Sequence, residues 1–188
     1  MPYHYTQVPI ESDRYYHIYN RGNNYGNVFF EKENYRFFLE KFKFYISPYT
    51  KIYAYCLLPD HFHFLLKVTD EKVIKQFKYF FISYVKSINK RYNRSGSLFL
   101  KNFKRIEINS DDYLKRLVFY INHNPEKHSY IEKYQDYKYS SFKAFLSNKS
   151  TFIDRDEVFE WFGSKKEFLE YHKYLKNLII ESKISFEE

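Results

Sequence analysis

Along this chain, stretches in which apolar and polar residues alternate with a period of two are interleaved with stretches of helical period. Residues 15–21, Tyr-Tyr-His-Ile-Tyr-Asn-Arg, have strand character and stop at Gly22-Asn23-Asn24, a turn-forming cluster. Residues 33–46 carry Phe37, Phe38, Phe42 and Tyr45 at helical spacing and end near Ser47-Pro48. Residues 51–58 and 61–68 read as two strands joined at Pro59-Asp60. A long helix is predicted over residues 70–92, where Val73, Phe77, Phe80, Phe81, Tyr84, Val85 and Ile88 make an apolar stripe. Asn93-Arg94-Ser95-Gly96-Ser97 breaks it, and a further strand is expected over residues 98–108. Ser110-Asp111-Asp112 then caps a helix that runs through Tyr113, Leu117 and Tyr120 toward Pro125. The sum, β-α-β-β-α-β followed by a helix, predicts an α+β fold: a ferredoxin-like split βαβ antiparallel sheet with helices on one face.

After about residue 130 the pattern changes to helical periodicity, and from residue 154 onward acidic residues outnumber basic ones. The expected organisation is a domain over residues 1–130 and a helical C-terminal extension over residues 131–188 that covers or frames the site. Its charge makes it a poor main surface for phosphates. A length of 188 residues allows one domain with a real core plus such an appendage.

The single cysteine, Cys56, excludes an intramolecular disulfide, fits a reducing compartment and is expected to be inert core. Met1-Pro2-Tyr3-His4-Tyr5 offers no cationic start followed by an apolar stretch, and no apolar run approaches the roughly 20 residues of a membrane helix. A cytoplasmic protein is expected.

The 31 Lys and Arg against 23 Asp and Glu give a net charge of +8, which favours a polyanionic partner. Aromatic residues are unusually frequent, with 22 Tyr and 21 Phe, and they interleave with cations in stretches such as Phe99-Leu100-Lys101-Asn102-Phe103-Lys104-Arg105. Most of these rings are expected to fill the core; some could serve as stacking platforms for unpaired bases while the cations follow the backbone. The basic residues concentrate between positions 70 and 108. Among them Arg91, Arg94, Lys101, Lys104 and Arg105, around the end of the long helix and the next strand, are the candidates for phosphate contact, together with Arg21 before its turn.

Two motifs carry chemistry. In Leu57-Leu58-Pro59-Asp60-His61-Phe62-His63-Phe64 the two histidines are one residue apart on a strand, so their imidazoles share a face while Phe62 and Phe64 enter the core. Two imidazoles do not close a metal shell. About sixty residues later, Tyr120 and Asn124 are four apart on a helix and therefore on one face, so a phenol and an amide oxygen can point at one site. The Asn124 carbonyl could complete a shell with His61 and His63 around Mg²⁺ or Mn²⁺, leaving positions for a scissile phosphate. Tyr120 is then the candidate nucleophile. His17, on the first strand, is assigned a structural role.

These motifs resemble the single-strand DNA transposases of the HUH tyrosine class, where U is a hydrophobic residue. Within that class the chain most resembles the REP-associated tyrosine transposases, named for the repetitive extragenic palindromes beside which they act. The resemblance extends through Tyr16-His17-Ile18-Tyr19-Asn20-Arg21-Gly22, Arg94-Ser95-Gly96-Ser97-Leu98-Phe99 and Tyr139-Ser140-Ser141-Phe142, over roughly residues 14–163. It implies metal binding by His61, His63 and Asn124, with Tyr120 as the nucleophile. It further implies hairpin-bearing single-stranded DNA as substrate, a 5′-phosphotyrosine link and rejoining by a freed 3′ hydroxyl, in a monomer or homodimer. Two positions depart from the usual pattern: Asp60 stands where Asn commonly precedes the first histidine, and Asn122-His123 fills the interior of the tyrosine motif. The competing readings are a replication-initiator-like nickase with the same two-histidine chemistry and a non-catalytic binder of structured DNA.

Overall fold

The computed structural model describes residues 8–182. The N-terminal pentapeptide read above and residues 183–188 of the C-terminal extension lie outside the described residues. Ten helices and strands follow one another: β1 (Tyr15–Arg21), α1 (Lys32–Tyr45), β2 (Thr50–Leu58), β3 (His61–Val68), α2 (Val73–Arg91), β4 (Lys104–Ile108), α3 (Asp111–Lys127), α4 (Phe142–Leu146), α5 (Arg155–Phe162) and α6 (Lys165–Ser182). The four strands form one sheet in the order β2-β3-β1-β4, with every neighbouring pair antiparallel. This is the split βαβ arrangement that the periodicity predicts.

Local signals account for the elements. Glu31 and Asn34 form a reciprocal capping box at the start of α1, which satisfies backbone donors that have no partner inside the helix. The side chain of Ser110 accepts a hydrogen bond from the Tyr113 amide at the start of α3. In the sheet, Tyr19 lies opposite His63 and Arg21 opposite His61, and Cys56 flanks His63 on its other side. That register sends Phe62 and Phe64 to one face and His61 and His63 to the other.

The phenylalanine face is covered by α1 and α2. Phe42 stacks on Phe64 with 3.9 Å between ring centroids, Phe38 meets Phe62 at 5.1 Å, and Phe80 closes edge-on over Phe42 at 5.6 Å. Each such ring, fully buried, contributes about 1.5–3 kcal/mol of transfer free energy. Cys56 is buried on the histidine side of the sheet, and burial pushes its thiol well up, so it stays protonated and inert.

The histidine face is covered by α3, so helices lie on both sides of the sheet. Farther along this face Trp161 of α5 packs on Tyr53 at 4.6 Å and Tyr15 at 5.8 Å. The back of α3 is braced by α6, where His172 meets Phe119 at 5.3 Å and Lys176 pairs with Glu126 at 2.8 Å. Residues 139–141 add to the outer edge of β2: the Leu57 amide donates to the Tyr139 carbonyl and the Ser141 amide to the Tyr55 carbonyl.

One element is shorter than the alternation suggests. Of residues 98–108, only Lys104–Ile108 is strand. Leu98 and Phe99 instead turn under the end of β1, where the Asn23 amide donates to the Leu98 carbonyl and the Leu100 amide to the Arg21 carbonyl. Phe99 bridges Gly22 just past the end of β1 and packs its ring against Phe62 and Phe81, and Asn102 ends the detour in a left-handed conformation (φ 64°). Among the described residues no helix is long and apolar enough to cross a membrane.

Candidate active site

Two distant stretches of sequence meet on the histidine face: His61 and His63 of β3, and Tyr120 of α3 with Asn124 one turn farther along the same helix. His61 and His63 sit at the start of β3, with imidazole centroids 5.2 Å apart and nearly perpendicular. From α3, the Tyr120 ring stands edge-on to His63 at 5.9 Å and to His17 at 6.3 Å. One turn later the Asn124 amide nitrogen donates to the Tyr120 carbonyl at 3.0 Å, which orients the side chain, and its Oδ1 is buried with no hydrogen-bond partner. The helix runs on through Pro125, which has no amide hydrogen to give to the Ile121 carbonyl.

The imidazoles are held from behind. His61 Nδ1 donates to the Asp60 carboxylate at 2.6 Å, and Asp60 also accepts from the Tyr130 hydroxyl at 3.1 Å. Burial by itself would raise the Asp60 carboxyl, but the hydrogen bonds from His61 and Tyr130 outweigh it and hold it at about 2. A carboxylate on Nδ1 fixes the tautomer that keeps the lone pair on Nε2, and His61 Nε2 is buried with no hydrogen-bond partner among the described residues. His63 Nδ1 is 2.9 Å from His17 Nε2, so His63 Nδ1 is engaged within the protein and Nε2 is the other ring nitrogen. Burial, reinforced by His17, His61, His128 and Lys127, keeps His63 neutral far below the ordinary imidazole range. A neutral imidazole is the form that binds metal.

His61 Nε2 and Asn124 Oδ1, two buried acceptor atoms with no hydrogen-bond partner among the described residues, are of the types that suit a small divalent cation in a mixed nitrogen and oxygen shell. Among the described residues no group of three or more His, Cys, Asp and Glu side chains is disposed to hold a metal, and the Asn124 amide is the oxygen donor that the sequence pairs with the two histidines. That donor set fits Mg²⁺ or Mn²⁺.

A cleft of about 130 Å³ opens beside the histidines, and Arg21, Lys101 and Lys104 line it. These are three of the six cations expected from the sequence to contact phosphate. The other three lie elsewhere. Arg91 clamps the Glu31 carboxylate, from Nε at 2.7 Å and Nη2 at 2.5 Å, and so ties α2 to the start of α1. Arg94 lies over the Phe30 ring at 5.5 Å in the same corner. Arg105 faces the other side of the sheet, because its partner in β1 is Ile18 whereas that of Lys104 is Tyr19; its guanidinium binds the Val8 carbonyl. The alternation of a strand forbids Lys104 and Arg105 from serving one face.

Several contributors escape a reading of the sequence. His17 is a buried partner of His63, which refines its structural role. Lys127 reaches over the Tyr120 ring at 5.0 Å, and His128 meets His61 at 5.1 Å. Tyr130 reaches the site through Asp60. The parity of His17 with Tyr19 is the one available hint, and it needs the strand register to become informative. His123, by contrast, faces away, stacked on Phe119 and beside Glu126. Asn122 is structural: it is fully buried and accepts a hydrogen bond from Ser141.

Comparison with known proteins agrees with this architecture. No family model matches the chain. A Haemophilus influenzae protein that carries the provisional name of REP-associated tyrosine transposase is 29% identical over 100 residues, covering 47% of this chain and 57% of the relative. The chain therefore matches little more than half the length of that relative. A solved structure of a REP-associated tyrosine transposase bound to a REP hairpin superposes with a TM-score of 0.62 at 16% identity, over 77% of this chain and 85% of the other. In sequence over part of its length and in fold over most of it, the chain resembles the REP-associated tyrosine transposases.

Proposed function

We propose that this protein is a metal-dependent endonuclease and transposase that cleaves and rejoins single-stranded, hairpin-bearing DNA through a 5′-phosphotyrosine intermediate. The observation that carries this reading is the placement of Tyr120 of α3 edge-on to His63, with Asn124 one turn farther along the helix and its amide nitrogen on the Tyr120 carbonyl, beside a cleft lined by His61, His63, Arg21, Lys101 and Lys104. The likeness to a protein solved with a REP hairpin supports a folded, palindromic DNA as the partner.

His61, His63 and Asn124 would hold the divalent ion, Mg²⁺ or Mn²⁺, which when bound supplies positive charge that polarises a phosphate. The chain's own residues do the rest. Arg21, Lys101 and Lys104 bind the backbone and hold one phosphodiester in the cleft. The Tyr120 oxygen bonds to phosphorus as the bond from phosphorus to the 3′ oxygen breaks; the departing oxygen takes up a proton, and the strand stays attached through its 5′ phosphate. The Lys127 ammonium, 5.0 Å from the ring centroid, favours the charge that develops on the phenol. Attack by a 3′ hydroxyl on the tyrosyl phosphate reverses these bonds and releases Tyr120. Each step exchanges one phosphoester for another, so no nucleotide cofactor is required.

The test is a denaturing-gel assay for covalent adducts with labelled single strands that carry a palindrome, in Mg²⁺, in Mn²⁺ and in chelator. The expected result is a metal-dependent adduct that disappears in Tyr120→Phe and in His61→Ala. Hairpin binding with no adduct under either metal would replace this reading with that of a non-catalytic binder.

A further inference from the structure

The connection between β1 and α1 holds a feature that neither the fold nor the proposed chemistry requires. Tyr25 is 78% exposed, the most exposed large hydrophobic residue among those described. Its backbone is left-handed (φ 57°), as is that of the preceding Asn24 (φ 52°). Asparagine adopts this conformation at little cost, whereas a bulky aromatic residue rarely does. A strained backbone that carries an aromatic ring into solvent gains nothing for folding.

The loop is held tightly all the same. The Gly22 amide donates to the Asp60 carbonyl at 2.6 Å, and the Asn23 amide to the Leu98 carbonyl at 2.9 Å. The Gly26 amide closes back on the Asn23 carbonyl, and the Val28 amide donates to Pro59. A Cβ on Gly22 would lie 1.8 Å from the Gly26 carbonyl oxygen, so only glycine permits this closure. The ring is thus displayed on a fixed support that shares its anchor, residues 59–60, with His61.

Arg21 joins the ring to the cleft. Its guanidinium lies over the Tyr25 ring, 5.0 Å from the centroid, and the same residue lines the cleft beside His61 and His63. One face of the ring is covered by a cation that can also meet a phosphate, which leaves the opposite face for a planar ligand. Farther along the loop Phe30, 41% exposed, lies under Arg94 in a second pairing of the same kind. Alternation of cations and exposed rings is how sequence-tolerant sites hold unpaired nucleotides.

We propose that Tyr25 is a base-stacking platform for an unpaired nucleotide that flanks the phosphodiester in the cleft, with Arg21 bridging that nucleotide's phosphate to the ring. The proposal rests on the single-strand nuclease reading and extends it to a binding subsite outside the metal and nucleophile set. The subsite accepts any base, since each offers a planar face.

The test uses the full chain with Tyr120→Phe in every arm, so that binding is read without cleavage. The probes are a mixed-sequence single strand carrying 2-aminopurine at staggered positions and a blunt hairpin with no unpaired extension. Tyr25→Ala is expected to weaken the single strand about tenfold and to relieve the quenching of 2-aminopurine at one position, with the blunt hairpin unaffected. Tyr25→Trp is expected to keep both affinity and quenching. Unchanged single-strand affinity in Tyr25→Ala, or equal losses on both probes, overturns the stacking role and leaves the nuclease reading standing. Binding to neither probe before Tyr25 is changed overturns both. A Tyr25-dependent single-strand affinity here, with no adduct from the unaltered chain in the separate denaturing-gel assay, supports the subsite while removing the nuclease.

Discussion

Ser141 donates its hydroxyl hydrogen to the Asn122 amide oxygen at 2.8 Å, and both side chains are completely buried. The Ser141 hydroxyl in turn accepts from the Tyr55 amide at 3.1 Å, and the Asn122 amide nitrogen donates to the Val118 carbonyl at 2.8 Å. The relay therefore runs from the edge of β2 into the middle of α3, two residues from Tyr120. It ties the helix that carries Tyr120 to the sheet that carries the histidines.

Removing the relay should loosen that placement. Ser141→Ala leaves the Asn122 oxygen and the Tyr55 amide buried and unsatisfied, at a cost of about 1–3 kcal/mol. Urea unfolding is expected to show this loss, and the initial rate of adduct formation is expected to fall while affinity for the DNA is kept. An adduct rate equal to that of the unaltered protein would mean that the relay serves stability alone.

Asp60 and Tyr130 should tune the metal. With Asp60→Ala, His61 loses the carboxylate that fixes its tautomer, and affinity for Mn²⁺ is expected to fall about 10–100-fold by calorimetric titration. Tyr130→Phe removes one hydrogen bond to the same carboxylate, so its effect should have the same sign and be smaller. Equal affinities in all three proteins would sink the idea.

The face on which each cation lies should be visible in salt. A residue that neutralises a phosphate contributes to the slope of log affinity against log salt, so Lys104→Ala and Lys101→Ala should each reduce that slope by about 1. Arg105→Ala, on the opposite face of the sheet, should leave it unchanged. Arg91→Ala should act on stability instead, because its guanidinium is spent on Glu31. Anisotropy titrations at several salt concentrations distinguish these outcomes.

His172 should make the fold acid-sensitive. Burial, aided by the neighbouring His123, lowers its pKa to about 3, and its Nδ1 lies 3.2 Å from the Tyr134 hydroxyl. An unfolded chain takes up this proton near pH 6.5, so between about 6.5 and 3 the unfolded state binds a proton that the folded state refuses. The contribution of His172 is then whole above about pH 6.5 and is lost as the pH falls, by up to about 1.4 kcal/mol per pH unit. Replacing it with Phe should flatten the acid side of a plot of unfolding free energy against pH; an unaltered slope would exclude His172 as the cause.

Much of this protein is legible without coordinates. Period-two and helical patterns determine β1, β2, β3, α1, α2 and α3, because alternation and the 3.6-residue repeat are properties of local backbone geometry. The same geometry pairs His61 with His63 on a strand and Tyr120 with Asn124 on a helix. What the residues could not decide is everything that depends on register and on the face of the sheet. Whether α3 lies over the histidines, whether Lys104 or Arg105 faces the cleft, and whether His17 meets His63 follow from the pairing of strands distant in sequence. Only the tertiary structure resolves these, since a slip of one residue would carry every side chain of a strand to the other face. The strand expected at residues 98–108 begins only at Lys104 for a related reason: Leu98 and Phe99 are buried and bonded to residues 21–23 past the end of β1, and no local pattern records that long-range pairing.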